Sequence, residues 1–345
     1  MQIAELVAPH RFRIVEGLPP EPGPGEIQVR VEAVGVCGSD LHNFSEGAVG
    51  DTPSQFPMVL GHEPTGTVVK TGPGVTGWVP GDRVICEPAI YCYHCPFCLA
   101  GRHNLCENLR FLSQPGEPGY FRQFVSLPAH NLMPLPEGLS FEEGTVFEPL
   151  AVILHSMKLG AIQVGETVAV FGAGPIGLLT VAVAKIAGAG RVWSIDPVSH
   201  RREIARQMGA DAVVDPSAVD AARLVCQETG GRGADVVFDC ATKNGSMNQA
   251  LRAARSGGRV VYTGIPSERK TEFEFHVGRR KELVIYNVRR SNHETPTALA
   301  MMREDFRRFA PMLTHVRPME QIQSAFEMLE KYADGVGKLV LRPQG

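Results

Sequence analysis

Short apolar runs cut by glycine and proline fill the first part of the chain. "EIQVRVEAVGVCG", "TGTVVKTG" and "DRVICEP" read as strands and predict an irregular β-rich domain up to about residue 150. From about residue 151 the pattern changes. "ETVAVFGAG", "GRVWSID", "ADAVVD", "ADVVFDCA", "GRVVYTG" and "LVIYNV" are apolar strand candidates. Helical stretches such as "HRREIARQMG" and "NGSMNQALRAARSGG" lie between several of them. Strands alternating with helices predict an α/β domain with a doubly wound parallel sheet. The tail, from "TPTALAMM" to "KLVLRP", holds two helical patterns and a final strand. Periodicity alone leaves open whether it extends that sheet or returns to the first domain.

With 345 residues the chain exceeds one ordinary core, so two domains are expected. A formal net charge of −3 is too balanced for a nucleic-acid surface or a polybasic membrane anchor. "MQIAELVAPHRFRIVE" has charges where a signal peptide would need an apolar core. The apolar run from Val168 to Ala184 is interrupted by three glycines and a proline and is too short for a membrane span. A buried strand, a glycine turn and a buried helix account for it. A soluble, cytoplasmic protein with no nucleic-acid or membrane partner is expected, in a compartment where thiols stay reduced.

Four of the eight cysteines, Cys92, Cys95, Cys98 and Cys106, fall within "CYHCPFCLAGRHNLC". C-x2-C-x2-C-x7-C can place four thiolates around a tetrahedral Zn²⁺ and leave no position for water or substrate. Disulfides and an iron–sulfur cluster are the alternatives, and a reducing compartment argues against the first. A structural zinc clamping a loop is therefore expected. Cys86, Cys226 and Cys240 lack ligand spacing and read as buried small hydrophobes.

"VAVFGAGPIGLL" places Gly172, Gly174 and Gly177 in G-x-G-x-x-G spacing after a strand and before a helix. There the glycines let a tight turn present helix amides to a pyrophosphate. Asp196, ending "VWSID", lies 19 residues past Gly177. A carboxylate there accepts ribose hydroxyls of NAD and repels the 2′-phosphate of NADP. Arg201 nearby could meet such a phosphate; beside Asp196 it is read as covering the adenine, and NAD is expected.

Three further stretches hold ligand-type residues: "GVCGSDLH" with Cys37, Ser39, Asp40 and His42, "LGHEPTG" with His62 and Glu63, and "FEPLAV" with Glu148. One thiolate, one imidazole and one or two carboxylates make an open zinc set. Neighbours on an extended strand face opposite ways, so His62 and Glu63 require a turn to reach one ion, which Gly61 and Pro64 can supply.

"GVCGSDLH", "GHEPTGTVVKTGPGVTGWVPGDRV", the four-cysteine lobe, "EEGTVFEPLAV" and "GAGPIGLLT" together resemble the zinc-containing medium-chain dehydrogenase/reductase superfamily, in its sorbitol (polyol) dehydrogenase branch. The resemblance spans essentially the whole chain. It implies a GroES-like catalytic domain over residues 1–150 and 288–345, a Rossmann NAD-binding domain over 151–287, and a homodimer or homotetramer. It also implies two zinc ions per chain. One is catalytic on Cys37, His62 and Glu63, with Glu148 holding the bound water or substrate or replacing Glu63. The other is structural. Ile176, Asp196 and Arg201 match positions that contact NAD, and Gly264, Ile265, Val288 and Arg289 would line its nicotinamide half. Ser39 would take the alcohol proton and pass it by way of the NAD ribose to His42.

Arg290 matches an arginine that binds substrate hydroxyls in that branch, while Ser291 and Asn43 stand where it carries tyrosines. The Arg289–Arg290 pair could favour an anionic substrate such as a sugar acid or polyol phosphate. The expected reaction is hydride transfer between a polyol or related vicinal secondary alcohol and NAD. Threonine or butanediol oxidation is the near alternative, and a non-catalytic dinucleotide sensor is the alternative of another class.

Overall fold

The strand Glu26–Gly35 organises the first unit, because Ile27, Val29 and Val31 are all buried on it. In the computed structural model, which describes residues 1–243 and 245–345, it pairs antiparallel with Glu63–Thr71, Phe124–Pro128 and Lys338–Arg342. Leu132–Pro134, Arg83–Cys86 and Leu313–Pro318 complete a seven-stranded mixed sheet. The register places Glu63 opposite Gly35 and Val340 opposite Gly35 on the other side. The tail's last strand thus lies beside the first unit's central strand. This unit comprises Met1–Glu148, Thr295–Phe306 and Leu313–Gly345. Its core includes Leu6, Phe44, Leu60, Phe121, Phe326 and Leu339. The tail's two helical patterns are the helices Thr295–Asp305 and Ile322–Glu330.

The second unit comprises Pro149–Glu294 and Arg307–Met312. Its six strands are Thr167–Phe171, Arg191–Ile195, Ala212–Val214, Ala234–Asp239, Ala254–Tyr262 and Val284–Asn287, all parallel. Their spatial order is third, second, first, fourth, fifth, sixth. That order reverses between Thr167–Phe171 and Ala234–Asp239, the switch point where open α/β sheets take ligands at the strands' C-terminal ends. The helix Pro175–Ile186 follows the first strand, and its residues Gly177 to Ala184 are all buried. The run Val168–Ala184 is thus a strand, a turn and a core helix, as its glycines predict. Among the described residues no helix is long and apolar enough to cross a membrane. The α/β expectation holds for the chain as a whole.

One boundary differs. "NGSMNQALRAARSGG" reads as helical throughout, but the helix spans Ser246–Ala253 and the strand starts at Ala254. Its first residue, Asn244, lies outside the described residues. The Lys281 ammonium donates to the carbonyls of Leu251, Arg252 and Ala254 and closes the helix end there. Arg255 then pairs with Asp235 on the neighbouring strand.

Candidate active site

Cys37 precedes the helix Gly38–Glu46, and His62 immediately precedes the strand Glu63–Thr71, which Glu63 opens. One ligand atom from each of the three lies within 4.8 Å of the others. Gly61 makes this convergence with a φ of +88°, and a side chain there would also strike Phe121. The chain therefore turns before the strand begins, and neighbouring His62 and Glu63 reach one point.

Asp40, fully buried, ties this corner together. Its carboxylate accepts from the amides of Cys37 at 3.0 Å and Gly61 at 3.1 Å and from Ser113 Oγ at 3.1 Å. Burial works to raise the Asp40 carboxyl, but His62 and these amides outweigh it and hold it below its usual value. His62 Nδ1 makes no hydrogen bond of ordinary geometry but faces Asp40 Oδ1 at 3.5 Å, so Nε2 is the nitrogen available to a metal. Burial disfavours charge on His62, yet Asp40 and Cys37 raise its pKa well above the ordinary value. They favour a positive charge at this point, and a divalent cation bound by His62 and Cys37 would supply one. Neither carboxylate oxygen of buried Glu63 accepts a hydrogen bond of ordinary geometry. It is instead ion-paired with Lys338, also buried. The donor types, their spacing and the lack of an ordinary hydrogen bond to Glu63 fit a zinc ion.

Glu148 belongs to the same unit but lies outside the three-residue ligand group. Burial pushes its carboxyl up to about 7, with His62 and Lys338 opposing the rise and Glu63 adding to it. Ser39 and His42 share the Gly38–Glu46 helix. Asn43 is buried, its amide donating to Ser39 O and accepting from Ser54 Oγ.

In the cysteine lobe the sulfur of Cys92 lies 3.5 Å from that of Cys106 and 3.9 Å from that of Cys98. Disulfides need about 2.05 Å, whereas the edge of a ZnS4 tetrahedron with about 2.3 Å bonds is about 3.8 Å. All four ligand atoms lie within 4.8 Å of one another. Backbone hydrogen bonding at His94 brings the Cys92 thiol down to about 5, while burial pushes Cys98 up to about 12. A divalent cation is what would hold all four as thiolates together. Of the remaining cysteines only Cys86 is fully buried; Cys226 and Cys240 are half-buried.

In the second unit Gly172 adopts a φ of +90°, and a Cβ at Gly177 would lie 1.8 Å from Gly172 O. The helix starting at Pro175 can thus pack directly on the turn, with Ile176 in its first turn and Gly174 as a side-chain-free N-cap. Asp196 follows the second strand, accepting from the amides of Ala173 at 2.7 Å and Val198 at 2.8 Å. An Arg201 guanidinium nitrogen lies 4.0 Å from where a Gly174 Cβ would be, beside the glycine turn. Gly264 donates to Asp239 O and Val288 to Tyr262 O, at the C-terminal ends of the fourth and fifth strands. Ile265 and Arg289 are exposed and Arg290 is half-buried. Arg290 has a left-handed φ of +56°, which is uncommon outside glycine.

Two contributors went unassigned from sequence. Asp40 was visible among ligand-type residues without a partner. Lys338, inside the apolar strand "KLVLR", carried a readable signal, since a buried lysine demands a counter-charge.

Comparison with known proteins identifies the family and the fold. Residues 23–137 match the family described as "Alcohol dehydrogenase GroES-like domain" and residues 175–304 the family "Zinc-binding dehydrogenase". The chain is 37% identical over 326 residues to a sorbitol dehydrogenase of Homo sapiens, covering 94% of this chain and 90% of that one. A crystal structure from Sinorhizobium meliloti 1021, described as a zinc-binding dehydrogenase bound to NADP, matches with TM-score 0.90 at 33% identity, covering 99% of both chains. Galactitol-1-phosphate dehydrogenase of Escherichia coli matches with TM-score 0.89 at 26% identity over 99% of both chains. Two family models that together match most of the chain, and 37% identity to a relative over nearly its whole length, show that this chain belongs to the zinc-containing medium-chain dehydrogenase/reductase superfamily of alcohol and polyol dehydrogenases.

Proposed function

We propose that the protein is an NAD-dependent dehydrogenase that oxidises a secondary hydroxyl of a polyol and reduces the corresponding ketose. The observation that carries this reading is the convergence of Cys37, His62 and Glu63 within 4.8 Å. Bound zinc and NAD would supply Lewis-acid polarisation of the hydroxyl and a hydride acceptor. Asp40 orients His62, and Lys338 offsets the charge of Glu63, so the corner is built before any ligand arrives. Glu148, whose proton is weakly held near neutral pH, orients the substrate or its water beside the three ligands. Ser39 and His42 carry the hydroxyl proton outward. Asp196 supports NAD over NADP by placing a carboxylate beside the glycine turn. Cys92, Cys95, Cys98 and Cys106 would hold a second, structural zinc.

Arg290 is assigned to substrate hydroxyls. Its left-handed backbone is a costly conformation of the kind that persists at ligand clamps. The adjoining Arg289 and the similarity to a galactitol-1-phosphate dehydrogenase favour a second reading, an anionic polyol phosphate or sugar acid. Sorbitol, xylitol, butanediol, threonine, a hexitol phosphate and a sugar acid, each tested for NADH formation, separate these readings. Highest kcat/KM on a neutral polyol supports the first, and highest on a phosphorylated or acidic substrate the second. Turnover of none would remove the polyol assignment.

A further inference from the structure

The helix Gly38–Glu46 carries Ser39, His42 and Glu46 at i, i+3 and i+7, spacing that sets side chains along one face. His42 Nδ1 lies 3.1 Å from a carboxylate oxygen of Glu46. The His42 side chain is 13% exposed and that of Glu46 35%, so the pair runs from a sheltered imidazole to a more exposed carboxylate. Helix stability does not explain it. A carboxylate in the last turn opposes the negative end of the helix, and that turn has no basic residue to offset it. A cation placed N-terminal to its carboxylate at this spacing is also the weaker orientation for an ion pair.

We infer that Glu46 is a positioning residue that fixes the tautomer of His42 and opens the proton route to solvent. The inference rests on the reading of Ser39 and His42 as the path by which the hydroxyl proton leaves. An ionised carboxylate can only accept, so Nδ1 carries the hydrogen and Nε2 keeps its lone pair. When Nε2 takes the outgoing proton, the Glu46 carboxylate holds the imidazolium through Nδ1–H, and Nε2 then releases its proton to water or buffer, which restores the Nδ1–H tautomer. One proton enters the pair and one leaves, and no electrons move.

The test pairs a spectrum with kinetics on the zinc-loaded full chain. Two-bond proton–nitrogen correlations of 15N-labelled protein without cofactor, assigned with His42→Ala, should show His42 as the Nδ1–H tautomer. Glu46→Ala should shift it toward Nε2–H. The same variant should lower kcat for alcohol oxidation about three- to tenfold at neutral pH in dilute buffer. Concentrated imidazole buffer should restore most of the loss, and His42→Ala/Glu46→Ala should be no slower than His42→Ala alone. An unchanged melting temperature in Glu46→Ala would confirm that folding is not the cause. An Nε2–H tautomer in the wild type, or a tautomer indifferent to Glu46→Ala, overturns the inference. A slowed variant without buffer rescue, or additive with His42→Ala, also overturns it. If the tautomer shifts as expected but His42→Ala turns over at the wild-type rate, the proton-route reading fails, and the role of Glu46 fails with it.

Discussion

The ammonium of Lys338 is ion-paired with the carboxylate of Glu63, and both side chains are only 1% exposed. Lys338 also donates to Val36 O at 3.0 Å, so its position is fixed from two sides. Breaking a buried pair leaves an uncompensated charge, which costs about 3–5 kcal/mol. Lys338→Met should therefore lower stability by an amount in that range, measured by urea unfolding of the metal-free protein. Glu63→Gln/Lys338→Met should recover part of the loss, because the charge that needed a partner is gone. Equal stability of Lys338→Met and wild type would show that the pair is not formed.

The cysteine lobe should bind metal independently of the first corner. Cys98→Ser is expected to remove one zinc per chain by elemental analysis and to lower the melting temperature, because metal binding there is coupled to ordering of the loop. Retention of the wild-type metal content would refute the four-sulfur assignment.

Asp196 should set cofactor choice. Loss of a charge-assisted hydrogen bond to ribose is worth about 1.5–3 kcal/mol, or about ten- to a hundredfold in affinity. The wild type is expected to favour NAD over NADP by at least about tenfold in kcat/KM. Asp196→Ser should narrow that preference mainly by weakening NAD. Equal use of both cofactors by the wild type would remove the carboxylate argument.

Asp235 gives the acid limb of stability. It accepts from the amide of Thr167 at 2.9 Å and from Thr167 Oγ1 at 2.7 Å, and it pairs with Arg232 and Arg255. Burial works to raise its carboxyl, but Thr167 and the two arginines outweigh this and hold it well below the ordinary range. A folded pKa below an unfolded value of about 3.9 contributes stability that is present above that value and is lost as pH falls toward the folded one. The melting temperature of the wild type should fall below about pH 4, and Asp235→Asn should be less stable near neutrality with a flatter acid limb. An equally steep acid limb in the variant would place the effect elsewhere.

Much of this architecture can be read directly along the chain. The Rossmann strands announce themselves because most are short apolar runs closed by glycine or aspartate, and Gly172, Gly174 and Gly177 mark the turn between the first strand and its helix. The cysteine lobe is legible because its ligands are local. Other features depend on distance in sequence. Asp40 meets Ser113 and Lys338 meets Glu63 only after the sheet has formed. The end of the Ser246–Ala253 helix is set by Lys281 from a later helix, which no local propensity contains. Nor does any spacing rule announce that Asn43 spends its amide on Ser39 and Ser54.

The central claim is that Cys37, His62 and Glu63 form a metal site separate from the cysteine lobe. Zinc per folded chain, measured for the wild type and for Cys37→Ser, tests it most directly. The account predicts about two in the wild type and about one in the variant, with NADH still bound and alcohol oxidation abolished. One zinc in both proteins, with catalysis unaffected by the substitution, would contradict it.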